Sequence, residues 1–463
     1  MTLFIQINSP SFWLINSLAA YSVISKLIFD HIYLTSKMVV DEEFHIPLGK
    51  AYCNFNFSVW DPKVTTLPGL YLASSLLLGP FGLCQPYYLR FVSLLASFIN
   101  LPLFYILFSK YCPESKWSNI CSSFTLALLP PLYFCSHLYY TDVVSLTMVL
   151  LTFVMYEMDC HFCASIFGSL AVVCRQTNII WVVFVAGQFL LKAMYATFAP
   201  KQTKTSGGIN MSFQEIVDLL KELMKNPIKH AINTYLRFWK GITSYLAVGV
   251  AFLTFLAING SIVVGDKSAH EATIHLPQLF YFSIFCLVFL WPYFVSQSLD
   301  FLNFIKTHKL VILLFLILGL LIVHYNTLVH PYMLADNRHY VFYIWNRFYG
   351  KYAYFKYFMV PVYIFSLYIV IKTIYSSGDA SYLMMYILCV FIVLVTQKLI
   401  EVRYYFIPYI LLRLKTGNRI PLAKFCLILE FLTSLFVNIA TLKLFFTKTI
   451  MWSDYADPQR LIW

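Results

Sequence analysis

Three adjacent carboxylates, Asp41, Glu42 and Glu43, are the residues whose types and spacing most directly suggest chemistry. Neighbouring carboxylates repel one another, so we expect at least one of them to have a raised pKa if the cluster lies at a membrane edge. Such a carboxylate suits a general base, which has to accept a proton near neutral pH. A solvated acidic turn is the alternative interpretation.

Other polar residues are candidates for binding a ligand beside these carboxylates. They lie in polar stretches next to apolar runs, and they are His45, Trp60, Asp61, Asp142 and Asp336. Simpler interpretations also exist. Trp60 can anchor the chain at a membrane interface, and Asp142 can cap the N-terminus of a helix.

Cationic residues in comparable stretches are candidates for binding a phosphate, and they are Arg175, Lys267, Arg338, His339 and Arg403. Arg175 lies between two apolar runs, where a guanidinium requires an anionic partner. A phosphate fits, because its oxygens match the guanidinium fork, and an ion pair with Asp142 or Asp41 is the alternative. Taken singly, each cation is equally an exposed loop residue, so the functional interpretation rests on their joint placement.

The composition predicts that a lipid bilayer surrounds these residues. Hydrophobic types make up 60% of the 463 residues and charged types only 12%, whereas soluble domains carry about 25% charged residues. The formal net charge of +12 would suggest nucleic acid in a soluble protein. Here the basic excess lies in a few loops between apolar runs, which is typical of a membrane protein, and no nucleic acid partner is expected.

The apolar runs predict an all-α, polytopic membrane protein with about 13 transmembrane helices, in a range of about 12 to 14. No sequence repeat is visible, and residues 1–463 are interpreted as one domain. Residues 11–29 are interpreted as an uncleaved first span, because no basic stretch precedes them. The predicted spans are 11–29, 88–108, 119–136, 142–158, 162–176, 178–198, 241–258, 276–296, 309–326, 354–374, 382–399, 402–415 and 423–446.

Basic residues predict which face of the membrane each loop occupies. Segments 199–240 and 413–424 are rich in Lys and Arg, so the positive-inside rule places both in the cytoplasm. Spans counted outward from them, with 69–83 not crossing fully, bring the remaining polar segments to the opposite face. These are 30–68, 137–142, 259–275, 327–353 and 400–403, together with Arg175. We therefore expect the first loop, 30–68, to contain interfacial helices and the catalytic carboxylates.

Most of the 11 cysteines lie inside apolar runs. We interpret them as small buried apolar side chains rather than as a disulfide framework. Cys160 and Cys163 form a lone Cys-x-x-Cys pair around His161, but no second ligand pair follows, so a zinc or redox site is not expected.

Six polar motifs follow one another along the chain. They are DEEFHIP with WDPKVTTLPGLY, YYTD, RQTNIIW, GDKSAHEATIHLPQLFYF, HPYMLADNRHYVFYIWNR and IEVRYYFIPYILLRL. In this order they resemble the motifs of the dolichyl-phosphate-glucose-dependent alpha-1,2-glucosyltransferases, a family of the GT-C class. The resemblance extends from residue 38 to the end of the sequence and is weak over 185–245. Asp41 and Glu42 match the family's acidic pair, whereas Glu43 stands where the family usually has an apolar residue.

The resemblance implies an enzyme of the endoplasmic reticulum membrane with a GT-C fold and a lumenal active site. It implies that glucose moves from dolichyl phosphate β-D-glucose to a diglucosylated dolichyl-diphosphate oligosaccharide. That acceptor would gain its terminal alpha-1,2-linked glucose during N-glycan precursor assembly. The two lipid-linked substrates and the bilayer are the expected partners, and no cofactor or metal is expected.

A β-linked donor and an alpha-linked product imply inversion in one displacement. Asp41 is then the expected base that deprotonates the acceptor hydroxyl, with Glu42 orienting the acceptor or sharing the role. The five cations would stabilise the charge released on the lipid phosphate. Sugar hydroxyls would be bound by Glu43, His45, Trp60, Asp61, Asp142 and Asp336.

Three other functions are compatible with parts of the sequence. Another dolichyl-phosphate-sugar-dependent GT-C transferase would share the acidic first loop. A transporter would place ionisable residues at the bilayer midplane, often within internal repeats, whereas the charges here cluster at one edge. A non-catalytic membrane regulator would have no need of an intact acidic pair.

Overall fold

The computed structural model describes residues 10–113, 115–198, 210–267, 273–417, 422–452, 455 and 457–463. This part of the chain is almost entirely helical, which confirms the prediction of an all-α protein. Parts of three predicted polar segments lie outside the described residues, namely 199–209, 268–272 and 418–421.

The helices of the first part of the chain bring the acidic first loop against the ends of several longer helices. They are α1 (Pro10–Thr35), α2 (Glu42–Cys53), α3 (Gly69–Leu78), α4 (Pro86–Tyr111), α5 (Lys116–Ala127), α6 (Pro130–Cys135), α7 (Thr141–Glu157), α8 (His161–Cys174), α9 (Ile179–Phe198), α10 (Phe213–Lys225) and α11 (Pro227–Asn259). Single turns of 3-10 helix follow α3 at Gly79–Phe81 and precede α9 at Gln176–Asn178.

The second part of the chain adds shorter helices and two strands. They are α12 (Pro277–Phe289), α13 (Trp291–Ser296), α14 (Ser298–Thr307), α15 (Lys309–Tyr325), α16 (Pro331–Ala335), α17 (Tyr340–Ile344), α18 (Phe355–Phe358), α19 (Val360–Tyr375), α20 (Ala380–Val395), α21 (Phe406–Lys415), α22 (Ala423–Thr447), β1 (Thr449–Ile450) and β2 (Gln459–Arg460). A π-helical turn covers Trp345–Tyr349, and a 3-10 turn at Val402–Tyr405 precedes α21.

Six stretches of helix in the described residues are long and apolar enough to cross a membrane, which makes this a multi-spanning membrane protein. They are Pro10–Thr35, Pro86–Tyr111, Gln176–Phe198, Pro227–Asn259, Phe355–Tyr375 and Ala423–Thr447. A seventh arises if α14 and α15, bent by 104°, form one broken span. Shorter apolar helices include α8, α12 and α20, which overlap the predicted spans 162–176, 276–296 and 382–399.

Helix α2 occupies the first loop and packs on α3. Its first turn carries Glu42 and Glu43, and acidic side chains there are favoured by the partial positive charge of a helix N-terminus. Asp41 is the residue just before the helix. The loop therefore holds its carboxylates on a rigid helical turn.

Both ends of helix α3 are packed closely against other elements, its start against the end of α8 and its end against the first loop. A Cβ added at Gly69, its first residue, would lie 2.6 Å from the Cα of Cys174 at the end of α8. One added at Gly79, just after α3, would lie 2.8 Å from the carbonyl oxygen of Cys53 in the first loop. With both ends held there, α3 packs under the first loop instead of leading away from it.

Cys53 and Cys84 form a disulfide that joins the end of α2 to the turn after α3. The interpretation of the cysteines as unpaired, small buried apolar side chains is wrong for these two: Cys53 is buried, but it is bonded to Cys84 because α3 returns to the first loop. It holds for five of the nine free cysteines, which are buried: Cys135, Cys174, Cys286, Cys389 and Cys426.

We expect the Cys53→Ser, Cys84→Ser double variant to be less stable than the parent by about 2–4 kcal/mol, because the disulfide restricts the unfolded first loop. The measurement is thermal unfolding in detergent, together with mass spectrometry of the linked peptide before and after reduction. Cys121→Ser, at a free and exposed cysteine, is the matched control and should unfold like the parent. Equal stability of all three proteins would contradict a structural role for the bond.

Residues near the end of the sequence lie across the face of the molecule that carries the first loop. Strands β1 and β2 pair antiparallel, and Ile462 forms a parallel bridge with His339. Arg460 donates to the carbonyl oxygen of Thr35, at the end of α1. We call residues 449–463 the closing segment; it joins the 336–340 region to the first loop.

Candidate active site

Asp41 and Arg403 form the centre of the site. An Oδ2 of Asp41 lies 2.9 Å from an Nη of Arg403, and the backbone N–H of Asp41 donates to the hydroxyl of Tyr140 at 3.3 Å. About a third of the Asp41 side chain (35%) is exposed, so one face of the carboxylate is open to a ligand. The structure thus presents a positioned carboxylate beside a guanidinium.

Arg403 is held by more than one anion. It forms an ion pair with Glu401 two residues earlier, and its Nη1 lies 3.5 Å from Asp142. Its guanidinium carbon lies 5.1 Å from the centre of the Tyr140 ring, within the range of a cation–π contact. The sequence interpretation did not single out Glu401, although a carboxylate two residues from an arginine near an apolar run was a usable signal.

Arg175 extends this network. Its Nη1 lies 2.5 Å from Oδ1 of Asp142, whose side chain is almost fully buried at the start of α7. The ion pair considered as the alternative for Arg175 is therefore present, and a phosphate role stays a prediction. Asp41, Arg403, Asp142 and Arg175 form a continuous row of alternating charge, which we call the charge row.

The charge row sets the protonation of Asp41. Burial alone would raise the pKa of its carboxyl, but the neighbouring Arg403, His45 and His339 together outweigh burial and hold that pKa below its usual value. The sequence-based expectation of a raised pKa is therefore not met at Asp41. The carboxylate is therefore ionised at neutral pH.

His45 lies one helical turn after Asp41. Burial lowers the pKa of its imidazole to about 4, so the ring is neutral at physiological pH. Its Nδ1 lies 2.5 Å from the hydroxyl of Tyr71 in α3. His45 is therefore a neutral hydrogen-bonding group near Asp41 rather than a second cation.

Glu42 has a different environment from Asp41. Its side chain and that of Arg90 are both fully buried, and Arg90 donates to its two carboxylate oxygens at 2.8 and 2.5 Å. The backbone N–H groups of Val39 and Tyr139 also donate to this carboxylate. The carboxylate is fully engaged and ties the first loop to α4 and to the start of α7.

The sequence interpretation missed Arg90. It stands near the start of α4, at the edge of a predicted span, where a buried arginine requires a carboxylate from another element. Helix α4 contains no carboxylate, so the isolated arginine was itself the signal that a partner lies on another element.

The first loop also contains Glu43, Trp60 and Asp61. An Oε of Glu43 accepts from the hydroxyl of Tyr455 in the closing segment at 2.7 Å. Asp61 accepts from the backbone N–H of Lys63 at 2.9 Å, which stabilises a turn. Trp60 is half-buried and lies edge-on to the Tyr71 ring, with the ring centres 6.2 Å apart.

The 336–340 region is linked closely to the closing segment. Arg338 donates to both carboxylate oxygens of Asp336 at 2.9 and 2.8 Å, and its guanidinium carbon lies 4.3 Å from the Trp452 ring centre. Burial would raise the pKa of Asp336, but the hydrogen bonds from Arg338 lower it. His339 donates from Nδ1 to the carbonyl oxygen of Trp463 at 3.0 Å, while its Nε2 lies 3.6 Å from Asp336.

Lys267 lies at the edge of the site. Its side chain is exposed and donates to the carbonyl oxygen of Asn259. The neighbouring Asp266 donates from its backbone N–H to the carbonyl oxygen of Pro62, so this stretch packs against the first loop rather than against Arg403. In the part of the chain that the structure describes, no group of His, Cys, Asp and Glu converges to hold a metal ion.

We expect Arg403→Leu to shift the acid limb of the pH profile of kcat/KM upward by about one to three pH units. Without the guanidinium, burial raises the pKa of Asp41, so a base that is active above its pKa loses activity at a higher pH. Arg403→Lys keeps a positive charge and is the matched control, with an acid limb close to that of the parent. If Arg403→Leu protein is active and the acid limb of its pH profile does not move, Arg403 does not control the protonation of Asp41.

The chain is similar to proteins of known description. Residues 35–414 match the model of the DIE2/ALG10 family. A Drosophila melanogaster protein is 42% identical over 432 residues, which cover 93% of this chain and 94% of the relative. A Homo sapiens protein is 36% identical over 446 residues, covering 92% and 93%. Both are named Dol-P-Glc:Glc(2)Man(9)GlcNAc(2)-PP-Dol alpha-1,2-glucosyltransferase. No solved structure matches the chain.

Proposed function

This chain belongs to the DIE2/ALG10 family, and we infer that it is an alpha-1,2-glucosyltransferase. It takes glucose from dolichyl phosphate glucose and adds it to the diglucosylated oligosaccharide on dolichyl diphosphate. The observation that carries this assignment is the similarity over 93% of the chain to a relative of that name. The open Asp41 carboxylate beside Arg403 supplies the matching chemistry.

Inversion at the anomeric carbon requires a base on the acceptor side. Asp41 is ionised and one-third exposed, so it can accept the proton of the acceptor hydroxyl as that oxygen attacks the sugar. The bond from the anomeric carbon to the lipid phosphate breaks in the same step. The phosphate leaves with the electron pair and needs no proton donor.

The charge released on the phosphate requires a cation close to the reacting carbon. Arg403 lies next to Asp41, Arg175 follows in the charge row, and His339 lies close enough to interact electrostatically with Asp41. These three are the proposed phosphate group. Arg338, held by Asp336, and Lys267, at the edge of the site, would support the surrounding loops.

The remaining predicted residues surround the sugar in this proposal. His45 and Trp60 offer a neutral hydrogen-bonding ring and an aromatic surface beside the base. Glu42, with its carboxylate taken up by Arg90, positions the first loop rather than touching the substrate. Glu43, Asp61, Asp142 and Asp336 hold the elements around the sugar in place.

We further propose that the site faces the lumen of the endoplasmic reticulum. The Cys53–Cys84 disulfide beside the site supports this, because disulfides persist in that oxidising compartment and are rare in the cytosol. The basic segment 199–240 would lie in the cytoplasm. About 13 crossings in a GT-C arrangement would require the bent pair α14–α15, the shorter apolar helices α8, α12 and α20, and helices α5, α7 and α21 to cross in addition to the six long helices.

Purified protein should transfer glucose from dolichyl phosphate glucose to a diglucosylated lipid-linked acceptor, with an alpha-1,2 linkage in the product. A parallel reaction with dolichyl phosphate mannose should give no product. Transfer of mannose, or to an acceptor with fewer glucose residues, would indicate another enzyme of the same class. Absence of any product from folded protein would favour a transporter or a regulator.

A further inference from the structure

A second site lies at the end of the helix bundle opposite the charge row. Asp142 lies in the first turn of α7 and Glu157 at its end, so the two levels are about 22 Å apart. Around Glu157 the ends of α4, α7, α9 and α21 and the middle of α11 enclose a cavity of about 1360 Å³. Nothing in the proposed glucosyl transfer uses this space.

The cavity carries more positive than negative charge. Five cations line it: Lys110, Lys192, Arg237, Lys240 and Lys415. Three carboxylates line it as well: Glu157, Asp159 and Asp379. Glu157 accepts from the hydroxyl of Tyr111, and Asp379 accepts from Ser381, so both are partly satisfied within the protein.

Two lysines lie deeper than the rest. Lys415 is buried and lies 3.9 Å from Asp379, with its Nζ 4.1 Å from the centre of the Tyr382 ring. Lys192 is half-buried, and its Nζ lies 5.4 Å from the centre of the Tyr156 ring. Within the described residues Lys192 forms no ion pair, so its charge faces the cavity.

The walls also contain buried polar atoms that lack a hydrogen-bond partner among the described residues. They belong to residues that line the cavity, and they are Ser109 Oγ, Tyr156 OH, Gln188 Nε2 and Ser377 Oγ. Gln188 is 2% exposed. An unmet buried polar atom costs free energy, so these side chains gain free energy by turning toward a ligand oxygen that enters the cavity.

The remaining walls are aromatic, with Phe153, Phe184 and Phe189 among them. Cations and unmet donors suit phosphate oxygens, while an apolar wall suits a hydrocarbon or another apolar group. A bare ion would leave most of the volume unused. We propose that this cavity binds a phosphate-bearing amphiphile, with Lys192 and Gln188 contacting the phosphate.

The test uses the full chain in phosphatidylcholine nanodiscs made with and without phosphatidic acid, and inorganic pyrophosphate as a soluble probe. Native mass spectrometry measures retained phosphatidic acid, and calorimetry measures pyrophosphate binding. We expect Lys192→Gln to weaken binding about tenfold, because it removes one charge-assisted hydrogen bond. Lys229→Gln, which removes an exposed lysine outside the cavity, is the matched control and should leave binding unchanged.

A second variant keeps the test informative if Lys192→Gln does not fold. Gln188→Met removes an unmet donor, so we expect unchanged or higher thermal stability without ligand and weaker binding with it. Retention of phosphatidic acid alone identifies a lipid headgroup, and binding of pyrophosphate alone identifies a soluble phosphate compound. Binding of neither probe, or equal loss in Lys229→Gln, overturns the proposal.

Discussion

Asp41→Asn should lower kcat for glucose transfer by a factor of about 10² to 10⁴ while the protein stays folded. The amide keeps the shape of the side chain but cannot accept the proton of the acceptor hydroxyl. Because Asp41 is one-third exposed, the loss of its contact with Arg403 should cost little stability. The measurement is the initial rate with both lipid-linked substrates near saturation, together with thermal unfolding.

Glu43→Gln is the matched control for this experiment. It makes the same acid-to-amide change two residues later, where the side chain accepts a hydrogen bond from Tyr455. We expect Glu43→Gln to retain most of the activity. Full activity of Asp41→Asn, or an equal loss in the two variants, would remove Asp41 as the base.

Glu42→Gln should destabilise the protein by about 3–5 kcal/mol. The change leaves the buried Arg90 guanidinium without its counter-charge, in a place that water does not reach. The measurement is thermal unfolding in detergent, with the yield of folded protein as a second readout. Activity should fall in proportion to the folded fraction.

The Glu42→Gln, Arg90→Met double variant is the control. It removes both charges, so it should recover much of the stability lost by Glu42→Gln alone, because no uncompensated charge stays buried. If Glu42 were the base, the double variant would regain stability but not activity, whereas a Glu42 that only positions the first loop would let the folded double variant regain activity as well. The two carboxylates thus have different tests: the base role of Asp41 is tested by kcat, and the positioning role of Glu42 is tested by stability.

Counting charges and spans along the sequence was enough to predict that the main residues of the site lie on one face. Asp41, Asp142, Arg175 and Arg403 were expected on one face, and the structure joins them in the charge row. That outcome follows from general physics, since charges are excluded from apolar spans and collect where helices end.

The division of roles within the acidic cluster could not be predicted. Successive residues at the start of a helix point about 100° apart, so neighbours with the same chemistry meet different partners. Asp41 meets Arg403, Glu42 meets Arg90, and Glu43 meets the closing segment. Those partners lie far away in the sequence, and no local pattern identifies them.

The disulfide was missed for a related reason. Cys53 and Cys84 pair because α3 returns to the face on which the first loop lies. Apolar composition suggests membrane contact for α3 but does not reveal that both of its ends lie together. A cysteine next to a polar turn on each side of such a helix was the available signal.

The Asp41–Arg403 contact joins residues that are 362 positions apart. During synthesis the first loop therefore exists long before its counter-charge has been translated and inserted. Until then the guanidinium that pairs with Asp41 is missing, and so is the link from Asp41 to Asp142 and Arg175. The charge row is thus completed only when the second half of the chain has been inserted, and we expect a truncated chain ending before residue 403 to be inactive.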